Sequence, residues 1–167
     1  MNLSMYDASA PCFLKMLDSM NAILNKAHDY ATAKKIEPTA LLQARLYPDM
    51  FTLLRQVQIA TDHAKGAVAR LSGVEVPKYE DNEQSFEDLR ARIAKTIAFV
   101  ESFAPEQING SEERPIELKV AGHELSFKGM EYLVGFALPN FYFHVVTAYN
   151  ILRHNGLEIG KRDYMGG

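Results

Sequence analysis

The sequence contains little cysteine and no long apolar run. Cys12 is the only cysteine among 167 residues, so neither an internal disulfide nor a cysteine-based zinc cluster is possible. Charged or polar residues interrupt every apolar stretch well before the ~20 residues that a transmembrane helix requires. The N-terminal segment also lacks the basic start and the apolar run of a signal peptide. These absences favour a cytoplasmic protein with no membrane partner.

Charge of either sign is also modest. The formal net charge is -3, the isoelectric point is near 6.0, and acidic and basic residues are interspersed. A nucleic-acid partner would require a clustered basic face, which is missing, so we expect no nucleic-acid binding. The composition, 47% hydrophobic and 23% charged, is that of a globular protein, and residues 1–167 suit one domain.

Apolar residues at three- and four-residue spacing predict four long helices. Pro11 predicts a kink or a separate start in the first helix, and Pro48 predicts the start of the second, with Phe51 on its core face. Gly73 predicts the end of the second helix, and Ser85 with Asp88 three residues later predicts a capping box. The predicted helices cover residues 4–35, 48–72, 85–103 and 128–156.

Residues 115–127 alternate between apolar and polar side chains, which predicts a β-hairpin. A two-residue turn at 121–122 places Ile116 opposite Phe127 and Leu118 opposite Leu125. A wider loop is the alternative, because Ala121 resists the positive φ that such a turn requires. The tail at 157–167 is glycine-rich and is predicted to be an extended arm. The predicted fold is therefore an all-α four-helix bundle with a small β-hairpin before the last helix.

Polar side chains lie among the aromatic residues of the last predicted helix. Asn140 and His144 are four residues apart and therefore share one helix face. Tyr149 and Arg153 repeat this spacing, which we place on a neighbouring face. His63 lies on the second helix, among small residues that permit close approach. These residues indicate either a functional site or a hydrogen-bonded polar network in the core.

The chain resembles the DinB/YfiT-like superfamily of metal-dependent four-helix bundles. His63 on a second helix, Asn140-x-x-x-His144 on the fourth and Gly156 twelve residues further on carry this resemblance. Within the superfamily, three segments are similar to a bacterial domain family of unknown function. They are Leu-Pro-Asn-Phe-Tyr-Phe-His at 138–144, Leu-Arg-His-Asn-Gly at 152–156 and Gly-Lys-Arg-Asp at 160–163.

The resemblance implies a site for a divalent metal, zinc or nickel, between helices two and four. The superfamily's three histidine ligands map onto His63, position 140 and His144, but position 140 holds Asn140, whose amide oxygen is a weak ligand. Two alternatives follow. The three residues hold an ion and leave positions open for substrate, or they form a metal-free polar pocket in which Asn140 satisfies backbone amides near Pro139.

The resemblance also implies a function and an assembly. An enzyme of this kind would transfer a thiol or hydrolyse a small-molecule substrate, with Asn140, Tyr142, Tyr149 and Arg153 as candidate pocket residues. The alternative function is a non-catalytic, small-molecule-binding or stress-associated bundle without metal. The tyrosines and Arg153 would then pair with the tail or with Asp and Glu across the bundle. Members of the superfamily commonly pair, so we expect a homodimer.

Overall fold

The structure, a computed structural model, describes residues 3–167, and helices cover about 61% of the chain. Four long helices form a bundle. In it α3 (Leu53–Ser72) packs against α7 (Leu138–His154) and α4 (Phe86–Glu101), and α1 (Ala10–Lys34) packs against α4. No helix within residues 3–167 has both the length and the apolar character needed to span a membrane. The elements are α1 (Ala10–Lys34), α2 (Pro38–Leu42), α3 (Leu53–Ser72), α4 (Phe86–Glu101), α5 (Pro105–Ile108), β1 (Pro115–Val120), β2 (His123–Lys128), α6 (Gly129–Tyr132), a π-helical turn (Leu133–Ala137), α7 (Leu138–His154) and α8 (Lys161–Met165).

The local signals at several helix ends are confirmed. Pro11 lies in the first turn of α1, where its missing N–H costs nothing, and the preceding residues form separate turns. Gly73 ends α3 with a φ of 80°. At the start of α4, the Ser85 side chain accepts a bond from the Asp88 amide at 3.0 Å. The Asp88 carboxylate accepts one from the Ser85 amide at 3.0 Å and completes the capping box.

The predicted start of the second long helix is wrong by five residues. Pro48 lies in a turn, and α3 begins at Leu53 after Thr52, whose hydroxyl accepts a bond from the Arg55 amide at 3.3 Å. A side-chain oxygen at the N-cap competes effectively with a proline signal further upstream. Phe51 therefore precedes the helix and is 53% exposed, rather than part of the core.

The hairpin has the predicted register. Ile116 pairs with Phe127, Leu118 with Leu125, and Lys119 with Glu124. The turn contains only two residues, because Ala121 adopts a φ of 48° and Gly122 a φ of 87°. The wider loop is therefore not needed, and Ala121 accepts the left-handed conformation that a two-residue hairpin turn imposes.

The last predicted helix is interrupted before Pro139, and the interruption is a π-helical turn followed by α7. A proline has no N–H, so it cannot continue the ladder of hydrogen bonds that the preceding turn requires. The tail differs from the predicted arm, because it contains the short helix α8. Asp163 stabilises this helix by accepting a bond from the Gly160 amide at 2.7 Å and by an ion pair with Lys26 of α1.

Candidate functional site

The site lies where α3 faces α7, and small side chains allow the two helices to approach closely. Gln56, Ala60, His63 and Ala67 recur at three- and four-residue spacing, so they share one face of α3. Both alanines are fully buried. On α7 the facing side chain is His144. A four-helix bundle commonly builds ligand sites from facing helices in this way.

The structure brings His63 and His144 together, and we call these two residues the histidine pair. Their ring centroids are 5.7 Å apart, and the ring planes differ by only 15°. Phe136 and His63 pack in an edge-to-face arrangement with ring centroids 5.9 Å apart, and Phe143 and His144 do so at 5.3 Å. His144 is only 8% exposed, whereas His63 is half-buried, so His63 is the more accessible ring.

Gln56 fixes the protonation of His144. The buried Gln56 side chain donates from Nε2 to the backbone carbonyl of Phe51 at 3.2 Å. Because a carbonyl oxygen only accepts, the amide must turn its Oε1 toward His144, where it lies 2.6 Å from Nδ1. Nδ1 therefore carries the ring proton, and the lone pair of the neutral ring is on Nε2.

Both imidazoles are neutral at physiological pH. Burial, and then the neighbouring His144, lower the pKa of His63 to about 4, although the Asp62 carboxylate acts in the opposite direction. Burial, and then the Arg55 cation, lower the pKa of His144 to about 4. Groups with these pKa values are unprotonated near pH 7, so each ring offers a lone pair to a metal ion or a hydrogen-bond donor.

Asn140 lies one helical turn before His144, but part of its amide is already used. Its Nδ2 donates to the carbonyl of Phe136 at 2.7 Å, across the irregular turn that precedes Pro139. The bond at the kink was predicted to go to backbone amides, and its partner is a carbonyl instead. This leaves the Oδ1 atom of Asn140 free to bind a metal ion or to accept a hydrogen bond. Within residues 3–167, no group of three or more His, Cys, Asp or Glu side chains is arranged to hold a metal ion.

The other predicted pocket residues lie elsewhere. At 100° per residue, Tyr142, Tyr149 and Arg153 lie about 140–180° around α7 from His144 and Asn140, on the opposite face rather than a neighbouring one. Tyr149 Oη donates to the Ile159 carbonyl at 3.5 Å, and Arg153 donates to that of Leu157 at 3.3 Å. These two residues bind the tail, as the alternative interpretation expected.

Tyr142 belongs to the same side of α7. Its ring packs against that of Phe141 with centroids 5.6 Å apart. Burial, and then the neighbouring Cys12, raise the pKa of the Tyr142 hydroxyl to about 12, so it remains protonated. Tyr142 therefore contributes to the packing of α7 against α1 and the tail, not to the environment of the histidine pair.

Sequence reasoning missed three residues around the histidine pair. Gln56 and Arg70 are each seven residues from His63, which places them on the same face of α3. Arg70 Nη1 donates to the hydroxyl of Tyr132, a fully buried residue of α6, at 3.0 Å. The spacing of seven was visible in the sequence. The contact of Arg70 with Tyr132 depends on the position of α6, so it could not be predicted from the sequence.

A buried arginine holds the chain beside His63 in place. Arg92 of α4 donates from Nε to the Thr61 hydroxyl at 2.7 Å. Its terminal nitrogens lie 2.9 Å from the Asp62 carboxylate, 3.1 Å from that of Asp81 and 3.0 Å from that of Glu83. These contacts fix the loop between α3 and α4 against both helices and constrain the backbone next to the histidine pair.

The four-helix bundle, the hairpin before its last helix and the histidines facing each other from α3 and α7 define a DinB-like protein. The chain aligns with a crystal structure of a DinB family member protein from Shewanella denitrificans at 43% sequence identity and a TM-score of 0.86. The alignment covers 97% of this chain and 92% of that one. A family model described as a domain of unknown function, DUF1993, matches residues 5–165, and the chain belongs to this family. No curated protein matches the sequence.

Proposed function

We propose that the histidine pair binds a divalent metal ion, zinc or nickel, between α3 and α7, and that this metal site acts on a small-molecule substrate. The observation that carries this proposal is the bond from His144 Nδ1–H to Gln56 Oε1. Histidines that bind metals almost always donate the other ring N–H to an acceptor of this kind, because the bond orients the ring and directs its lone pair. His144 Nε2 is the atom prepared for a ligand.

The donor set fits a weakly held ion. Two neutral imidazoles are suitable ligands for zinc and nickel, and centroids 5.7 Å apart leave space for metal–nitrogen bonds of about 2 Å. The two rings are stacked with planes only 15° apart, so the more accessible His63 ring would have to turn to direct its in-plane lone pair at the same ion as His144. Asn140 Oδ1 is the third protein donor, one turn from His144. A neutral amide binds these ions more weakly than a third histidine would. We therefore expect lower affinity than in a site with three histidines.

When bound, such an ion would lower the pKa of a coordinated thiol or water, which supports thiol transfer or hydrolysis as the reaction class. The chain's own contribution is to hold and orient. Gln56 fixes the His144 tautomer, and Phe136 and Phe143 restrict the two imidazole rings. His63 is only half-buried, so a substrate can reach the histidine pair from the side of this ring.

A non-catalytic, metal-free bundle is the second candidate. The observation that favours it is Asn140, because its amide nitrogen is bonded to the Phe136 carbonyl and thus has a structural role without any metal. In that case the neutral histidine pair would bind a small molecule by hydrogen bonds alone.

Metal analysis of the protein purified without an affinity tag separates the two functions. We expect about one equivalent of a divalent ion after dialysis against zinc or nickel, and loss of that ion in a His63→Ala/His144→Ala double variant. The matched control is His28→Ala/His154→Ala, which removes two exposed histidines. If the wild-type protein binds no more metal than the double variant, the metal centre is rejected and the metal-free candidate remains.

We also propose that the chain forms a homodimer. Exposed apolar side chains on and before α7, Phe143, Val146 and Val134, support a contact surface of this kind. Analytical ultracentrifugation should give twice the monomer mass of 18.8 kDa. A monomer mass at micromolar concentration contradicts this proposal and leaves the metal centre unaffected.

A further inference from the structure

Arg70 is a cation beside the histidine pair, and none of the carboxylates that the structure describes forms an ion pair with it. Within residues 3–167 its side chain makes one hydrogen bond, from Nη1 to Tyr132, and no ion pair. The guanidinium is close enough to His63 to help lower the pKa of that ring. Arg70 is half-buried, so it is partly shielded from water and still reachable from solvent.

Arg92 in the same bundle shows how this protein treats a buried guanidinium. Three carboxylates and a hydroxyl surround Arg92, so its charge is compensated by the chain itself. A guanidinium withdrawn from water without an anion carries an uncompensated desolvation cost. Arg70 is half-buried and has no such carboxylate within residues 3–167, so an anion from outside the chain would compensate its charge.

Two neighbours hold the Arg70 side chain in a fixed position. Gly66, one turn earlier on α3, leaves the space that the guanidinium occupies, since a Cβ atom at position 66 would be 2.5 Å from Nη1. Tyr132 is fully buried, and its hydroxyl accepts the Nη1 bond. The Nε and Nη2 donors remain available, and this edge of a guanidinium matches the two oxygens of a carboxylate.

Aromatic rings form a wall around Tyr132, the residue that bonds to Arg70. Phe136 lies 5.9 Å from both the His63 and Tyr132 rings and 5.4 Å from Phe127 of the hairpin, measured between ring centroids. Phe127 and Phe136 are only half-buried, so part of the wall is accessible. A ligand with a carboxylate at Arg70 would thus have an apolar surface against which its body could pack.

We propose that Arg70 binds the carboxylate of a small molecule that has an apolar body, held between Arg70 and the histidine pair. This assignment rests on the proposed function for the position of the site and adds the substrate class. Arg70 is the anion-binding residue, and Gly66 and Tyr132 are positioning residues.

The test is an NMR titration of the metal-free protein with sodium benzoate at constant ionic strength, in which the Arg70 Nε–Hε signal is followed. We expect a saturable shift of that signal, and binding about tenfold weaker or more in Arg70→Gln. Arg70→Lys keeps the positive charge but lacks the paired N–H donors of the guanidinium, so it should also bind benzoate weakly. Gly66→Ala should weaken binding while helicity is retained, because the new methyl displaces the guanidinium.

Arg90→Gln is the matched control. Arg90 is a half-buried arginine of α4 whose Nε donates to the Asn21 side chain at 3.2 Å, away from the histidine pair. Its variant should bind benzoate within about twofold of the wild type. Equal binding by Arg70→Gln and the wild type overturns the proposal. Tighter binding of inorganic phosphate than of benzoate overturns the carboxylate assignment.

A repeat with zinc present separates this inference from the metal proposal. Benzoate binding that depends on Arg70 in a protein that takes up no zinc supports the anion site and rejects only the metal centre. Zinc binding without any effect of benzoate on the Arg70 signal supports the metal centre and overturns the anion site.

Discussion

Replacing Gln56 with Leu tests the arrangement of the site most directly. Leucine has a similar size and preserves the packing of α3, but it removes the acceptor that faces His144 Nδ1 at 2.6 Å. The buried N–H then has no partner, or the ring proton moves to Nε2. In the first case the lone pair stays on Nε2, but the ring loses the bond that orients it; in the second case Nε2 carries the proton and has no lone pair to offer.

The magnitude follows from the burial of both side chains. A buried donor left without a partner costs about 1–3 kcal/mol of stability. The Phe51 carbonyl loses its bond to Gln56 as well, but Phe51 is exposed, so water can replace that bond. We therefore expect Gln56→Leu to lower the free energy of unfolding by about 2 kcal/mol. Loss of an outer-shell partner should also weaken zinc binding about 10–100-fold.

Long-range proton–nitrogen NMR at pH 7 reports which His144 nitrogen carries the proton, and urea unfolding reports stability. The control is Gln58→Leu. Gln58 is equally buried, but it bonds to Glu83 and Arg55, so this variant should lose stability and keep the His144 tautomer. A wild-type protein with the proton on Nε2 of His144, or a Gln56→Leu variant with unchanged tautomer and stability, would refute the reasoning.

Three further predictions follow from the same contacts. The pKa of each member of the histidine pair is about 4 in the folded chain and near 6.5 when unfolded, so the unfolded chain takes up protons first as the pH falls. Urea unfolding should show full stability above pH 6.5 and a loss on the order of 3 kcal/mol for each histidine between pH 6.5 and 4, which a double His→Gln variant should not show. Arg92→Met should lower the free energy of unfolding by about 3 kcal/mol, because it leaves the Glu83 carboxylate without its buried partner, whereas Arg90→Met should cost under about 1 kcal/mol in the same unfolding assay. Asn140→His should strengthen zinc binding about tenfold or more in calorimetry by supplying a third imidazole, and Asn150→His, on an exposed part of α7, should have no such effect.

The elements that the sequence predicts well depend on neighbours close in the chain. The Ser85–Asp88 capping box involves residues three apart, and the pairing of Ile116 with Phe127 follows from the alternation of side chains on both sides of a short turn. The start of α3 was misplaced because two local signals competed, Pro48 and Thr52. The structure shows that the Thr52 cap, and not Pro48, defines the start of α3.

The amino-acid sequence by itself determined the four-helix bundle, the hairpin and the helix faces that carry His63 and His144, because periodicity and turn chemistry are local properties. Tertiary structure decided what surrounds those faces. The 5.7 Å between the two rings, the acceptor that Gln56 offers to His144 and the bond from Arg70 to Tyr132 each join residues that are 62 to 88 positions apart or on separate helices. Such contacts depend on how the helices are rotated and spaced, which only the packing of the whole core fixes.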